Sequence, residues 1–256
     1  MIRCVPSIVL SFGFLSVLIP AAFSQDTAKP NGKGEQVPAG RSSDANVTDH
    51  VLTKDDRDGM TPSGVLQMLK SGNERFVAGS LTQRDHTKQV RQAVQGQNPK
   101  AFVLSCVDSR VPVEDVFDRG IGDIFVARVA GNFVNTDILG SMEFGCKVSG
   151  AKLLLVLGHE NCGAVKGAID KVELGNITPM LKNIRPAVDF FGDYAGEKSG
   201  SNKEFVHMVA ERNVRMSMAR IRERSPILRE MESRGQLKIV GALYDMDSGA
   251  VEFLRE

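Results

Sequence analysis

The run Ala101-Phe-Val-Leu-Ser-Cys106-Val-Asp108-Ser-Arg110 decides how the rest of the chain is read. Its first seven residues are apolar or small and show no polar alternation, the pattern of a strand covered on both faces. Two similar runs follow, at residues 124–130 and 153–157. Between them Asp137 is placed to cap a helix with Ile138, Leu139, Met142 and Cys146 on one side. Strands alternating with helices predict an α/β fold, with a mainly parallel central β-sheet flanked by helices.

Working outward, Thr61-Pro62 reads as a helix cap followed by proline at the first helical position, with Val65, Leu66 and Leu69 on one face. Residues 73–77 read as a second short helix, and Val90, Ala93 and Val94 as a third that Gly96 closes. These three form an N-terminal helical arm. Beyond Gly163 the chain is mostly helical. Ser225-Pro226 opens one helix, with Ile227, Leu228 and Met231 turned inward and Gly235 at its end. Residues 238–244 and 250–254, joined by a turn over 245–249, predict a terminal hairpin.

The 256 residues carry a formal net charge of +1, which gives no reason to expect nucleic acid or an acidic membrane surface as partner. Residues 1–24 have a basic start, an apolar stretch and small residues before Gln25, the layout of a cleaved signal peptide. A retained membrane anchor is the competing reading, but the apolar stretch is short and ends in Pro20. Export to the periplasm without a stable membrane anchor is therefore the expectation. Residues 25–58 are rich in Gly, Ser, Asp, Lys and Pro without apolar periodicity and read as a flexible polar linker. A single domain then spans residues 59–256.

The chemistry lies at the ends of two apolar runs. In Cys106-Val-Asp108 the first and third side chains of an extended segment point the same way. In Gly158-His-Glu-Asn-Cys-Gly163 a turn can bring His159 and Cys162 together. Parallel α/β sheets place their sites at the carboxyl ends of strands. Two thiolates and an imidazole suit tetrahedral Zn2+ and leave a fourth position open, as in a catalytic site. A Cys106–Cys162 disulfide is the alternative that an oxidising compartment permits. Neither His159 nor Asp108 has a purpose in it. Cys146, on the apolar face of its helix, reads as core.

These segments resemble the two signature segments of the β-class carbonic anhydrases, Cys106-Val-Asp-Ser-Arg110-Val-Pro112 and Gly158-His-Glu-Asn-Cys-Gly163. Residues 69–79, 96–100 and 122–132 are similar to the family's leading helical segment, the approach to its first strand, and its second strand. The resemblance implies one Zn2+ per chain held by Cys106, His159 and Cys162, with water or hydroxide completing the tetrahedron. It also implies reversible hydration of carbon dioxide to bicarbonate and a proton by that hydroxide. Asp108 then has two possible roles: a hydrogen-bond acceptor gripped by Arg110, or a fourth metal ligand that shuts the site.

The resemblance further assigns Gln97 to a substrate hydrogen bond, and Phe125, Ala130 and Phe144 to pocket walls. From the residues alone the last three are plain core. The amide of Gly163 is a candidate for positioning substrate, and a tight turn is the alternative. Val103 stands where some members carry a Trp of an inhibitory bicarbonate site, and this chain has no Trp, so it resembles the accessible-site branch. The family forms dimers whose N-terminal helices pack across the partner, which implies a homodimer or a tetramer built from dimers. Two other readings stay open: a zinc enzyme acting on carbon disulfide, and a zinc-binding protein without catalysis. His86 and His207 are the candidate proton shuttles.

Overall fold

The computed structural model describes residues 47–255. The signal-peptide reading of residues 1–24 and most of the linker reading lie outside the described residues. The last part of the linker reading is corrected. Helix α1, Lys54–Asp58, opens at Thr53 with a reciprocal capping box to Asp56. Leu52 and Arg57 are buried. The polar composition of this stretch hid a helix whose capping is local and whose burial is tertiary.

Helix α2 spans Pro62–Val77, capped by the Thr61 side chain with proline at its start, and α3 spans His86–Ala93, capped by Asp85. Three helices do precede the first strand, but residues 73–77 continue α2 and do not form a separate one. Gly72 does not break that helix, because it is the contact point with the segment beneath it. A Cβ there would collide with the Phe117 carbonyl. Asn73 is buried, donates to the Val116 and Gly249 carbonyls and accepts from the Val251 amide. Its side chain pins α2 to the terminal hairpin.

Strand β1 is Ala101–Ser105, followed by α4, Val113–Val116, and β2, Ile124–Arg128. Helix α5, Thr136–Glu143, is capped by Asn135, two residues before the expected Asp137. It runs into a π-helical turn, Phe144–Val148, that buries Cys146. Strand β3 is Leu153–His159, and α6 is Gly163–Ile169. Helices α7, Ile177–Leu181, and α8, Arg185–Asp189, lead to the long α9, Lys203–Arg224. Helix α10, Pro226–Ser233, opens at Ser225 as expected, with Leu228 and Met231 buried, but Ile227 is 40% exposed. Strands β4, Lys238–Tyr244, and β5, Val251–Phe253, form the predicted hairpin.

The sheet order is β2-β1-β3-β4-β5, with the first four strands parallel and β5 antiparallel. Its centre is dry, since every residue of β1 and β3 is buried. Strand β2 is only half-buried because it is the edge strand. One face packs against α9 through residues such as Leu154, Val156, Val209 and Val214. The other packs against α2 and α4 through Val65, Leu69, Val103 and Leu155. Burying a side chain of this size stabilises the fold by about 1.5–3 kcal/mol. This core holds the strand ends in place.

Candidate metal centre

Cys106 follows β1, and His159 ends β3, so adjacent parallel strands deliver both to the carboxyl edge of the sheet. Two local devices shape the β3 turn. Gly158 has no room for a side chain, since a Cβ would lie 2.6 Å from Val214 and 2.8 Å from Leu243. Asn161 takes a left-handed backbone (φ 54°), which asparagine tolerates better than most residues. The chain thereby reverses and sets Cys162 at the start of α6.

The Sγ atoms of Cys106 and Cys162 and a ring nitrogen of His159 lie within 4.8 Å of one another, and all three residues are at most 4% exposed. The three cysteines among the described residues are free thiols, so no Cys106–Cys162 disulfide is formed here. His159 Nδ1 donates to the Glu160 carbonyl at 2.8 Å, which leaves Nε2 with its lone pair. That Nε2 is buried without a hydrogen-bond partner. Buried polar groups are normally paired, and an orphan facing two thiols is what a site built for a soft, borderline cation presents. The donor set fits Zn2+.

The thiols are not equivalent. Cys106 is drawn down by the hydrogen bond from Cys162, against its own burial, with help from the Gly131 amide. The Gly131 N–H lies 3.3 Å from its sulfur. Cys162 is pushed up, because Cys106 holds its proton and burial disfavours a second thiolate. Two sulfurs sharing one proton make a ligand pair that a dication completes by displacing it. Cys146 is a different case. It is 1% exposed, and burial alone pushes its thiol up to about 12, so it is an inert core residue, as the sequence suggests.

Asp108 stands at the rim. Its Oδ1 accepts from the Arg110 amide (3.0 Å) and Nε (2.9 Å), and its Oδ2 accepts from Nη2 (2.8 Å). The Arg110 guanidinium, outweighing partial burial, holds the carboxyl at about 2. Oδ2 also lies 3.9 Å from His159 Nε2. Asp108 is therefore next to the three-residue cluster but engaged with Arg110, outside the set that converges.

The remaining expected positions separate. Ala130 directly precedes Gly131, whose amide meets Cys106, so it belongs to this end of the sheet. Gly163 is exposed, has open space where a Cβ would sit, and lacks the positive φ that would demand glycine. Neither close approach nor backbone strain explains it. Phe125 and Phe144 lie at the other end. Phe125 pairs with Phe102 near the start of β1, and its ring is 6.3 Å from that of Phe144. Gln97 precedes β1 altogether and is exposed. One chain thus does not bring Gln97, Phe125 and Phe144 to its own Cys106. His207 lies on α9 and meets the Glu160 carboxylate at 2.5 Å, while His86 starts α3 far along the chain from either motif.

Sequence reading missed the supports. Gly131 (φ 80°) leaves no space for a side chain, which would strike Ile184, and its carbonyl accepts from buried Asn213 at 2.7 Å. The run Ala-Gly-Asn after a strand signals such a turn, but only the fold aims its amide at a sulfur. Arg128, at the end of β2, donates to the Asp108 carbonyl at 3.3 Å and to that of Val111. It fixes the loop that carries Asp108 and Arg110.

A family model described as carbonic anhydrase matches residues 101–251. Carbonic anhydrase 2 of Mycobacterium tuberculosis is 34% identical over 194 residues, covering 73% of this chain and 90% of that protein. A carbonic anhydrase of Mycolicibacterium smegmatis is 34% identical over 197 residues, covering 75% and 92%. Among solved structures, a Coccomyxa β-carbonic anhydrase in complex with acetazolamide aligns with TM-score 0.59 at 25% identity, covering 76% of this chain and 86% of that one. Tetrameric β-carbonic anhydrases of Sordaria macrospora give TM-score 0.58 at 25% identity, covering 64% and 85%. With three clustered side chains at the sheet edge that could hold a metal ion, a gripped aspartate beside them and these likenesses across most of its described length, the chain belongs to the β-carbonic anhydrase family.

Proposed function

We propose that this carbonic anhydrase binds one Zn2+ per chain through Cys106, His159 and Cys162 and there converts carbon dioxide and water to bicarbonate and a proton. The orphaned Nε2 of His159, buried between two thiols, carries the assignment. Zinc in such a site supplies a water ligand whose pKa falls from ~15.7 toward neutrality. The protein's own residues do the positioning. Glu160 fixes the His159 tautomer. The Gly131 amide steadies the Cys106 thiolate. Asp108, kept ionised by Arg110, is the acceptor that orients a proton-bearing nucleophile at the rim. With both its oxygens engaged by Arg110, Asp108 would leave a metal held by Cys106, His159 and Cys162 open to solvent and substrate.

The pocket is completed by a second copy of the chain. Gln97, Phe125 and Phe144 lie at the opposite end of the strands from Cys106, Phe144 is 51% exposed, and β2 is a half-buried edge strand. A homodimer, alone or doubled into a tetramer, joins one chain's metal end to its partner's Gln97 end. Mixing Gln97→Ala and His159→Ala proteins tests this. If the sites are shared, the mixture regains roughly a quarter of wild-type activity, because half the random dimers carry one intact site of two. No recovery after verified subunit exchange would overturn it. Export to the periplasm, with cleavage before Gln25, is part of the same reading and is checked by the mass of the protein from fractionated cells.

Stopped-flow carbon dioxide hydration with zinc-loaded protein, with metal analysis in parallel, tests the central assignment. Turnover that needs about one zinc per chain is expected. Zinc-independent turnover, or preference for carbon disulfide in the same assay, would sink it.

A further inference from the structure

The turn after β2 has an uncommon shape. Gly131 (φ 80°) and Asn132 (φ 40°) are successive left-handed residues, and the second is not glycine. Residues with a side chain visit that region mostly one at a time, so such a pair persists where its surroundings hold it. The Asn132 amide closes the turn on the Val129 carbonyl at 2.9 Å. The result is that the Gly131 N–H meets the Cys106 sulfur, 25 residues away in the chain.

Helix α9 holds this turn. Asn213 and Ser217 stand about one helical turn apart and share a face. Asn213 Nδ2 donates to the Gly131 carbonyl at 2.7 Å, and Ser217 Oγ to the Asn132 carbonyl at 3.2 Å. Both residues are at most 1% exposed. Asn213 Oδ1 is buried with no partner among the described residues, so this side chain does not serve to complete a polar network. The hydrogen bond it makes goes to Gly131. The helix can lie so close because Gly158 and Gly241 leave room for Val214, from which a Cβ on either would sit 2.6 Å away. Gly158 directly precedes His159. One helix therefore braces the approaches to both His159 and the Cys106 sulfur.

We propose that Asn213 and Ser217 are positioning residues for the metal site. By fixing two successive carbonyls they aim the Gly131 N–H at Cys106 and so set how strongly that sulfur donates to the metal. The inference rests on the zinc assignment. An N–H bonded to a ligating thiolate draws electron density from it, and hydrogen bonds of this kind tune metal–thiolate sites. Asn213, bonded to the residue that carries the N–H, has the larger effect, and Ser217, one residue on, the smaller.

Cobalt(II) put in place of zinc in the full-length protein tests the proposal, because its thiolate charge-transfer absorption reports sulfur donation. Asn213→Leu should shift that band to longer wavelength, and Ser217→Ala should shift it the same way by less. Hydrogen exchange on the zinc-loaded protein is the second readout. In Asn213→Leu the Gly131 amide should exchange about tenfold faster relative to those of Leu154 and Val156 in the central strand. Ile221→Ala removes a buried side chain of the same helix about one turn beyond Ser217, and should lower stability while leaving the band in place. An unmoved band in each variant that folds, or unchanged relative exchange at Gly131, would overturn the proposal alone. So would an equal band shift in Ile221→Ala, which would assign the effect to general loosening of α9. Absence of a thiolate band from the wild-type protein would overturn the zinc assignment and this inference with it.

Discussion

The two ends of the parallel strands bury polar groups to similar depth and treat them in opposite ways. At the carboxyl end, His159 is 1% exposed and its Nε2 has no partner. At the amino end, Asp118 is 1% exposed and fully partnered. It accepts from Arg75 (2.5 Å), Arg84 (2.6 Å) and both the amide and hydroxyl of Thr82. Buried Lys100 faces Asp123 at 3.6 Å nearby. The amino end satisfies its charges internally and is architecture. The carboxyl end leaves donors aimed at a common point and is a site. Depth of burial does not separate His159 from Asp118, but satisfaction does.

The largest effect that would break this contrast comes from the carboxyl end. His159→Ala should lower zinc from about one per chain to near zero and reduce carbon dioxide hydration by ~10³-fold or more, since no acidified water remains. Metal analysis and stopped-flow assays read both. Retained zinc with near-normal turnover would mean that the orphan nitrogen is not a ligand. At the amino end, Asp118→Ala strands two arginines and should cost about 3–5 kcal/mol in urea unfolding, with zinc content unchanged in the folded fraction. A loss below about 1 kcal/mol would show that the pairing there is not structural.

Intermediate effects sharpen the border between the two kinds of polar group. Asp108→Asn should keep zinc and lose roughly 10–100-fold in turnover, as expected for an orienting partner beside a metal ligand. Arg110→Ala should do the same by releasing Asp108. Near-normal rates in either variant would refute the pair. The smallest effect is a pH dependence of stability. Burial pushes the Asp118 carboxyl up, but Thr82, Arg84 and Arg75 together outweigh it and hold it at about 2 against an ordinary 3.8. A depressed carboxyl stabilises the fold at pH above its unfolded value and loses that contribution as pH falls through its folded value. On the order of 2 kcal/mol should therefore disappear between about pH 4 and pH 2. Asp118→Asn should flatten that part of the acid limb, and an unchanged acid limb would assign the loss to other carboxyls.

Much of the fold is legible in the chain itself. Residues 101–107 and 153–157 are apolar without alternation, and only strands covered on both faces need that. Thr61-Pro62 and Ser225-Pro226 are local cap signals, and both helices start there. Three misreadings share one cause. Splitting α2 at Gly72, assigning α1 to linker and turning Ile227 inward treat as local what neighbouring elements decide; the Asn135 cap, by contrast, is a local bond to the Ile138 amide. Gly72 looks like a breaker until α4 is seen pressing against it, and residues 54–58 look soluble until Arg57 is buried and reaches the Ser149 carbonyl.

The site divides in the same way. By itself the sequence determined which atoms can bind metal, because only thiolate and imidazole placed after buried strands offer soft donors at a sheet edge. It also put Arg110 within reach of Asp108, two residues away, while leaving open whether Asp108 is gripped or binds metal; the structure shows the grip. Only the tertiary structure decided that Cys106 and His159 converge, since adjacent parallel pairing of β1 and β3 is a long-range choice. It alone aimed the Gly131 amide at Cys106, set His207 on Glu160, and put Gln97, Phe125 and Phe144 at the wrong end of the chain's own strands. Motifs record chemistry within a few residues. Which motifs meet is fixed by packing between residues far apart in sequence.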